Sequence, residues 1–482
     1  MKILMAAAES VPFVKVGGLA DVVPALSREL DRLGEKISVV LPLYRSVREA
    51  KWGLKEASGL SPLRLSGSFS GKYRIYRTLL PESRVECLFI EHPEYFDRKG
   101  VYDDPDTGKG YKDQGERYLF FSKALSELAL RKKDEKYDVI HLHDNHVGPA
   151  AGYLKLGNFR GKLVFHIHNL GYQGNYEPEL FELSEFPEEW FWAGREAEFY
   201  GDFNFMKVGI LLSDEVVTVS PRYAKEIVTD REYGMKMEGV LASKGEHLSG
   251  ILNGIDIQDW DPATDPLIPH NYAVGSMAGK SKNSKVLREK CKLPSPGEDT
   301  PIIGMITRLA EQKGIDLVIA AMDDLMELPL QMVILGTGLL SYHEALLELS
   351  KKHPSQLSVQ LKFDNALAHL IEAGSNMFFM PSRYEPCGLN QMYSLRYGSI
   401  PIVRGVGGLL DTVRPVSPDG SDGWGFVFHK MKPGTMVKSV EEAVRFYRRK
   451  KLWPEIVRRA MSLDFSWRRS ALQYLQLYKK SR

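Results

Sequence analysis

The chain has 482 residues, room for three ordinary folded units or two large ones. Lys and Arg number 64 against 62 Asp and Glu, a net charge of +2, which argues against a dedicated polyanion or nucleic-acid binder with its basic stripe. Apolar residues at 43% and charged residues at 26% exclude a disordered chain or a fibre, and three cysteines cannot build a disulfide framework. No stretch approaches the roughly 20 apolar residues that span a bilayer, and the N-terminal apolar run stops at Glu9, too short for a signal-peptide core. The expected setting is the reducing cytoplasm.

Lys2–Ala8 reads as a buried strand. A loop at Glu9–Gly18 leads into an amphipathic helix from Leu19 to Leu33, stopped at Gly34, and Ile37–Leu41 is the next strand. This strand–loop–helix–strand order is a βαβ unit and implies a parallel sheet covered on both faces. Val85–Ile90, Val139–Leu142, Leu163–Ile167 and Glu215–Val219 continue the strands, with helices at Gln114–Leu130 and Gly148–Leu156. A second series starts after Asn253-Gly254-Ile255-Asp256. Its strands are Pro301–Ile306, Gln331–Leu335, Leu357–Phe363, Met377–Pro381 and Ile400–Val403; its helices are Gly314–Met326, Asn365–Gly374 and Leu389–Tyr397. The fold class is therefore α/β, with two doubly wound, Rossmann-like domains joined near 244–252. The expected division is residues 1–246, residues 247–455 and a terminal segment 456–482, where Trp467, Tyr474 and Tyr478 recur on a helical pattern. Ligands in such sheets bind at the carboxyl ends of the strands, so two facing domains predict a site in a deep cleft between them.

The chemistry-bearing residues cluster at those strand ends. Lys15 precedes Gly17-Gly18 in the first βα loop, and a similar Val-Gly-Gly-Leu recurs at Val406-Gly407-Gly408. Both suggest backbone amides approaching an anion at a helix start; the alternative is two tight turns. Neither matches the dinucleotide fingerprint or the P-loop. Arg308 and Lys313 follow the strand Pro301–Ile306 and suit a diphosphate by charge and reach, against a plain pair of solvated cations. Glu385 opens Glu-Pro-Cys-Gly-Leu after another strand end, either as a site carboxylate or as an ordinary helix N-terminal acid. His141, His143, Asp144 and His146 end one strand, and His166 and His168 end the next. The spacing is a near miss to a binuclear zinc pattern; hydrogen bonding to a polar ligand or a structural role is the preferred reading, and no metal is assigned. Lys280–Lys292 reads as a solvated basic helix face, Cys87 and Cys291 as structural, and Cys387 as lining the site beside Glu385 without a nucleophile's partner.

Taken together, Lys15-Val-Gly-Gly-Leu-Ala-Asp21, His141-Leu-His-Asp144, Ile167-His-Asn-Leu-Gly-Tyr-Gln-Gly174, Leu252-Asn-Gly-Ile-Asp256, Thr307-Arg-Leu-Ala-Glu-Gln-Lys-Gly314, Pro381-Ser-Arg-Tyr-Glu-Pro-Cys-Gly-Leu389 and Phe465-Ser-Trp467 resemble, in order and over nearly the whole chain, the bacterial glycogen synthase and plant starch synthase family. The resemblance implies two Rossmann-like domains, acceptor side first and nucleotide-sugar side second, with a C-terminal helix crossing back to the first. It implies a retaining transfer of glucose from ADP-glucose to the non-reducing end of an α-1,4-glucan such as glycogen, without a cofactor. By motif, Lys15 meets the donor phosphates, and Gly17 and Gly18 bring backbone near the donor. Arg308 and Lys313 neutralise the departing diphosphate with help from the amides of Gly407 and Gly408. Glu385 holds the glucose hydroxyls or the oxocarbenium charge, His168 and Asp144 orient the sugar, and Asn253 lies at the hinge side. Asp21, Gly336, Cys387, Gly388 and Leu389 complete the substrate-binding set. The chain departs from the family at Val16 and Val406, where the family has Thr, at Asn145 (Trp), and at Leu339 (Asp). Tyr393 stands where many other retaining transferases have a second Glu. A different sugar or nucleotide, a metal-dependent hydrolase and a glucan-binding scaffold are the alternatives; oligomeric state is not read from sequence.

Overall fold

The computed structural model describes residues 1–131, 136–297 and 299–480. The chain divides into two compact units: residues 1–219, 224–251 and 467–482 form the first, and residues 220–223 and 252–466 the second.

The first unit is built on a nine-stranded sheet of Lys2–Ala6 (β1), Lys36–Pro42 (β2), Lys55–Glu56 (β3), Ile75–Leu79 (β4), Glu86–Ile90 (β5), Val139–His143 (β6), Lys162–Ile167 (β7), Glu215–Thr218 (β8) and Leu248–Gly250 (β9). The spatial order is β9-β8-β7-β6-β1-β2-β5-β4-β3. Seven strands run parallel, and β4 and β3 add an antiparallel edge. The central strands are apolar on both faces: Ile3, Leu4, Met5, Val39, Val40, Leu88, Phe89, Ile140, Leu142 and Phe165 are buried. That is why they read as continuous apolar runs and not as alternating ones. The edge strands β3 and β4, short and half exposed, carry no such run and were not legible as strands.

The order of connection reverses at β1. The chain leaves β1 for β2 and β5, then returns to place β6 on the other flank of β1. Such a switch point opens a crevice at the carboxyl ends of β1 and β6. The helix after β1, Leu19–Arg32 (α1), carries Pro24 inside it. Proline cannot donate to the carbonyl four residues back. That carbonyl, on Ala20, instead accepts the amide of Val11 at 2.9 Å, which anchors the strand-end loop to the helix.

The second unit holds a six-stranded, all-parallel sheet: Ile302–Ile306 (β10), Gln331–Leu335 (β11), Leu357–Gln360 (β12), Met377–Met380 (β13), Ile400–Arg404 (β14) and Phe426–Phe428 (β15), ordered β12-β11-β10-β13-β14-β15. Here too the order reverses, at β10 and β13. Helices Ala278–Lys290 (α2), Ile315–Met326 (α3), Asn365–Gly374 (α4) and Asn390–Arg396 (α5) pack around it. 

Two expectations change. The segment 456–482 is not one helix: Trp453–Met461 belongs to the second unit and Trp467–Lys479 (α6) to the first. Between them Asp464 accepts the Ser466 amide, and the Phe465 carbonyl accepts the Ile255 amide at 2.8 Å, so backbone needed for a continuous helix pairs elsewhere. Residues 481 and 482 lie outside the described residues. In α6, Trp467, Tyr474 and Tyr478 are buried in the first unit. The basic helix α2 is not wholly a solvated face either. Lys280 is buried, and its ammonium donates to the carbonyls of Ala373 (3.2 Å) and Tyr397 (2.9 Å) and to Ser399 Oγ (3.0 Å). Burial pulls its pKa down to about 7. A lysine four-carbon stem spans from a helix to carbonyls beneath it, which a charge count cannot show.

Candidate active site

In the second unit, the switch point gathers Arg308 and Lys313 from the loop after β10 with Glu385, Gly388 and Leu389 from the loop after β13. These line one cavity of about 200 Å³ together with Thr307, Ser382 and Asn390. Lys313 Nζ lies 2.6 Å from Glu385 Oε2, and Ser382 Oγ donates to the same oxygen at 2.9 Å. Glu385 Oε1 makes no hydrogen bond among the described residues. The two loops are tied by backbone: the Arg383 amide donates to the Gln312 carbonyl at 2.8 Å, and Asn390 Nδ2 donates to the Ile306 carbonyl at 2.7 Å. Gly314, at φ +70, makes the approach feasible, because a Cβ there would lie 2.3 Å from the Pro381 carbonyl oxygen. Arg308 is exposed, with only a long contact to Gln312 Oε1 at 3.4 Å. Two cations and one carboxylate, the one acidic side chain among the residues lining this cavity, suit an anionic ligand that also presents hydrogen-bond donors.

The glycines after β14 serve that geometry differently from the expectation. The Gly408 amide donates to the carbonyls of Glu385 (3.1 Å) and Pro386 (3.2 Å), so it is not available to a phosphate. A Cβ on Gly407 would lie 2.0 Å from the Glu385 carbonyl oxygen. Both positions let the Glu385 segment close against the helix start. Gly336 is also a packing position: its amide donates to Gln360 and a Cβ would strike the Thr307 carbonyl. Cys387 is buried, receives the Asn253 backbone amide, and has its thiol pushed up to about 12 by burial; it is not among the residues lining the cavity. Asn253 is itself buried, and its side-chain Oδ1 has no partner among the described residues. Val406 is buried and Leu339 exposed. Tyr393 stacks on Trp260 at 3.9 Å, a packing role. Two further apolar side chains stand exposed beyond the carboxyl ends of β11 and β12: Leu340, at the start of the helix Leu340–Lys352, and Phe363, three residues past the end of β12 although the sequence predicts that strand to run to it.

In the first unit, Lys15, Gly17 and Gly18 follow β1, Asp144 follows β6 and His168 follows β7. Lys15 Nζ pairs with Asp21 Oδ1 at 2.8 Å, both partly exposed. The Gly17 amide is taken by Glu9 Oε2 at 2.8 Å, and that of Gly18 has no partner among the described residues. Asp144 sits at φ +62, sparsely populated backbone for a non-glycine and a mark of functional sites. Its Oδ1 accepts the His168 amide at 2.8 Å. Burial pushes its pKa up to about 7, opposed by the amides of His168 and Asn169 and aided by the charge of Glu9. His168 Nε2 meets His143 Nδ1 at 3.0 Å, and burial holds His168 down to about 3. Asn145 donates to the Tyr172 carbonyl at 2.9 Å, so it braces a loop.

His141, His143 and His166 each bring one ring nitrogen to within 4.8 Å of the others, the separation of metal ligands. All three are fully buried, and burial holds each neutral at pH 7. His141 Nδ1 meets the Tyr478 hydroxyl at 2.8 Å, and His141 and His166 lie stacked 6° from parallel. Ligand type would admit a metal ion, but the group supplies no anion to offset a buried dication. The arrangement fits a packed imidazole stack that fastens α6 to the sheet.

These geometries coincide with the sequence similarities. Residues 2–243 match the starch synthase catalytic domain family, and residues 289–451 match glycosyl transferases group 1. A glycogen synthase of Fervidobacterium nodosum is 41% identical over 100% of this chain and 99% of its own length. The chain belongs to the glycogen and starch synthase family. Other members include a Pseudothermotoga lettingae glycogen synthase, 42% identical over 100% of this chain and 99% of its own. The catalytic domain of starch synthase IV from Arabidopsis thaliana, solved bound to ADP and acarbose, superposes with a TM-score of 0.87 at 33% identity, covering 99% of this chain and 98% of that one. Sucrose-phosphate synthase from Thermosynechococcus elongatus shares the fold, with a TM-score of 0.60 at 17% identity, covering 99% and 98%. Membership in this family makes the chain a hexosyltransferase. Among the described residues no helix is long and apolar enough to cross a membrane.

Proposed function

We propose that the enzyme transfers glucose from ADP-glucose to the non-reducing end of an α-1,4-glucan such as glycogen, with retention of configuration. The observation that carries this is the cavity where Arg308, Lys313 and Glu385 converge. Cleaving the sugar–phosphate bond leaves positive charge on the sugar and negative charge on the diphosphate. Lys313, held by Glu385, and the exposed Arg308 supply cations to meet that negative charge, which is the electrostatic device such a step needs. Glu385, anchored through Oε2, keeps Oε1 for the sugar. Lys313 shares its charge with Glu385 before the donor arrives and with the leaving group afterwards.

Retention through a covalent intermediate uses two carboxylates about 5–5.5 Å apart. The cavity is lined by one. The proposed course is therefore same-face: the departing diphosphate oxygen takes the proton of the attacking acceptor hydroxyl as the glycosidic bond forms. Trapping of a glucosyl adduct on a carboxylate would refute it. The reading assigns the nucleotide sugar to the second unit and the acceptor to the first, with Lys15 meeting the donor phosphates and Asp144 and His168 orienting the sugar. It takes the enzyme to be cytoplasmic, in keeping with three free, buried cysteines.

The test is nucleotide release from ADP-glucose and UDP-glucose with glycogen as acceptor, with excess EDTA and a Glu385→Ala control. ADP release coupled to glucan growth, unaffected by EDTA and lost in the control, is expected. UDP release in its place would change the donor. Release from neither, in protein that binds glucan, would remove the transfer reading.

A further inference from the structure

The loop that carries Lys15 is held by a carboxylate that no motif singles out. Glu9 follows β1 and is only 4% exposed. Its Oε2 accepts the amides of Val16 (2.5 Å) and Gly17 (2.8 Å), and its Oε1 accepts the Tyr102 hydroxyl at 2.8 Å. Tyr102 is fixed in turn, stacked on His146 with ring centroids 4.8 Å apart. One buried carboxylate thus has three donors from two directions, which satisfies its charge and sets its orientation. The Val16 and Gly17 amides are consequently committed within the protein. The Gly18 amide and the Lys15 ammonium are among the groups the loop keeps for an anion; among the described residues the Lys15 ammonium pairs with the half-exposed Asp21.

We infer that Glu9 is the positioning residue of this loop: it fastens Val16 and Gly17 so that the Lys15 side chain and the Gly18 amide are presented to the donor diphosphate. This rests on the reading that the Lys15 loop meets the donor. A diphosphate competing for the Val16 and Gly17 amides would strand a buried carboxylate, which is costly. A loop already tethered loses less freedom when the ligand binds, so the tether acts on donor affinity. Glu9 touches neither the sugar nor the leaving group in this scheme.

The test compares wild type, Glu9→Ala, Glu9→Asp, Glu9→Gln and Lys15→Ala in the full chain, reading KM for ADP-glucose, KM for glycogen, kcat, ADP affinity by calorimetry, and thermal midpoint. Glu9→Ala is expected to raise the donor KM about tenfold, a loss of about 1.4 kcal/mol, with the glycogen KM unchanged. Glu9→Asp, one methylene short of both amides, shifts the donor KM in the same direction and serves if the alanine variant does not fold. Glu9→Gln restores donor KM, because its carbonyl oxygen can accept both amides while its NH2 donates to the Tyr102 oxygen. A purely structural role would lower the thermal midpoint without separating the two KM values. If Lys15→Ala weakens ADP and donor binding but neither Glu9→Ala nor Glu9→Asp does, the inference is overturned. If Lys15→Ala leaves both unchanged, the reading of the loop falls, and the inference with it.

Discussion

Lys313 and Glu385 are 72 residues apart in sequence and 2.6 Å apart in space, joined across the switch point of the second sheet. Their side chains are 21% and 8% exposed, so the pair is largely screened from water. Removing one partner strands the other: with Lys313 gone, the Glu385 carboxylate keeps, among the described residues, the Ser382 hydroxyl. Lys313→Ala should therefore lower kcat by roughly 100-fold or more, on the order of 3 kcal/mol of barrier, the scale of a lost preorganised donor. Arg308→Ala, at an exposed cation without a close internal partner, should cost activity with little change in thermal midpoint. Steady-state kinetics beside calorimetric melting separates the two; equal loss of stability in both variants would contradict the assignment.

Gly407→Ala should damage catalysis through the backbone. Its Cβ would fall 2.0 Å from the Glu385 carbonyl oxygen, and φ at +45 disfavours a side chain in any case. The Glu385 segment must move by more than a bond length's tolerance. Activity is expected to fall by at least tenfold while ADP still binds, as small displacements of a catalytic group are expensive. Calorimetry with ADP and turnover assays check this.

The buried histidines make stability depend on pH. His141, His146 and His168 are held down to about 3 by burial, and His143 and His166 are also strongly lowered. Below pH 6.5 the unfolded chain binds protons that the folded chain refuses, so stability falls as pH falls. Each such group removes about 1.4 kcal/mol per pH unit through that window. Asp144 acts oppositely: raised to about 7, it stays protonated when folded and loses stability only as pH rises from about 4 to 7. Several histidines outweigh one aspartate, so the thermal midpoint should drop steeply from pH 6.5 to 5. His141→Phe should flatten that slope; a midpoint independent of pH there would contradict the burial.

Lys280→Met should destabilise without altering kinetics. The substitution keeps the stem but removes the ammonium that donates to the carbonyls of Ala373 and Tyr397 and to Ser399 Oγ, leaving the two carbonyls the Tyr272 hydroxyl as their side-chain donor. The expected loss is on the order of 3 kcal/mol. Denaturant unfolding gives the size, and an unchanged KM and kcat at a temperature well below the transition gives the specificity.

The sequence by itself determined the two doubly wound series, because parallel strands buried on both faces are runs of apolar residues, and it placed Lys15, Asp144, His168, Arg308, Lys313 and Glu385 at strand ends. Motif order along the chain pointed to the family. What it could not hold was which atoms meet. Gly17 and Gly408 were legible as glycines beside helix starts, yet whether their amides faced a ligand depended on Glu9 and on the Glu385 and Pro386 carbonyls, residues up to 23 positions away along the chain. Lys280 looked like any solvated cation until a helix packing angle turned it onto carbonyls more than 90 residues distant. The break before Trp467 likewise came from pairing with Ile255. Local sequence sets periodicity and strand ends, since those follow from burial of neighbouring side chains; hydrogen-bond partners follow from tertiary packing, where a buried polar group takes whichever partner the fold brings within about 3 Å.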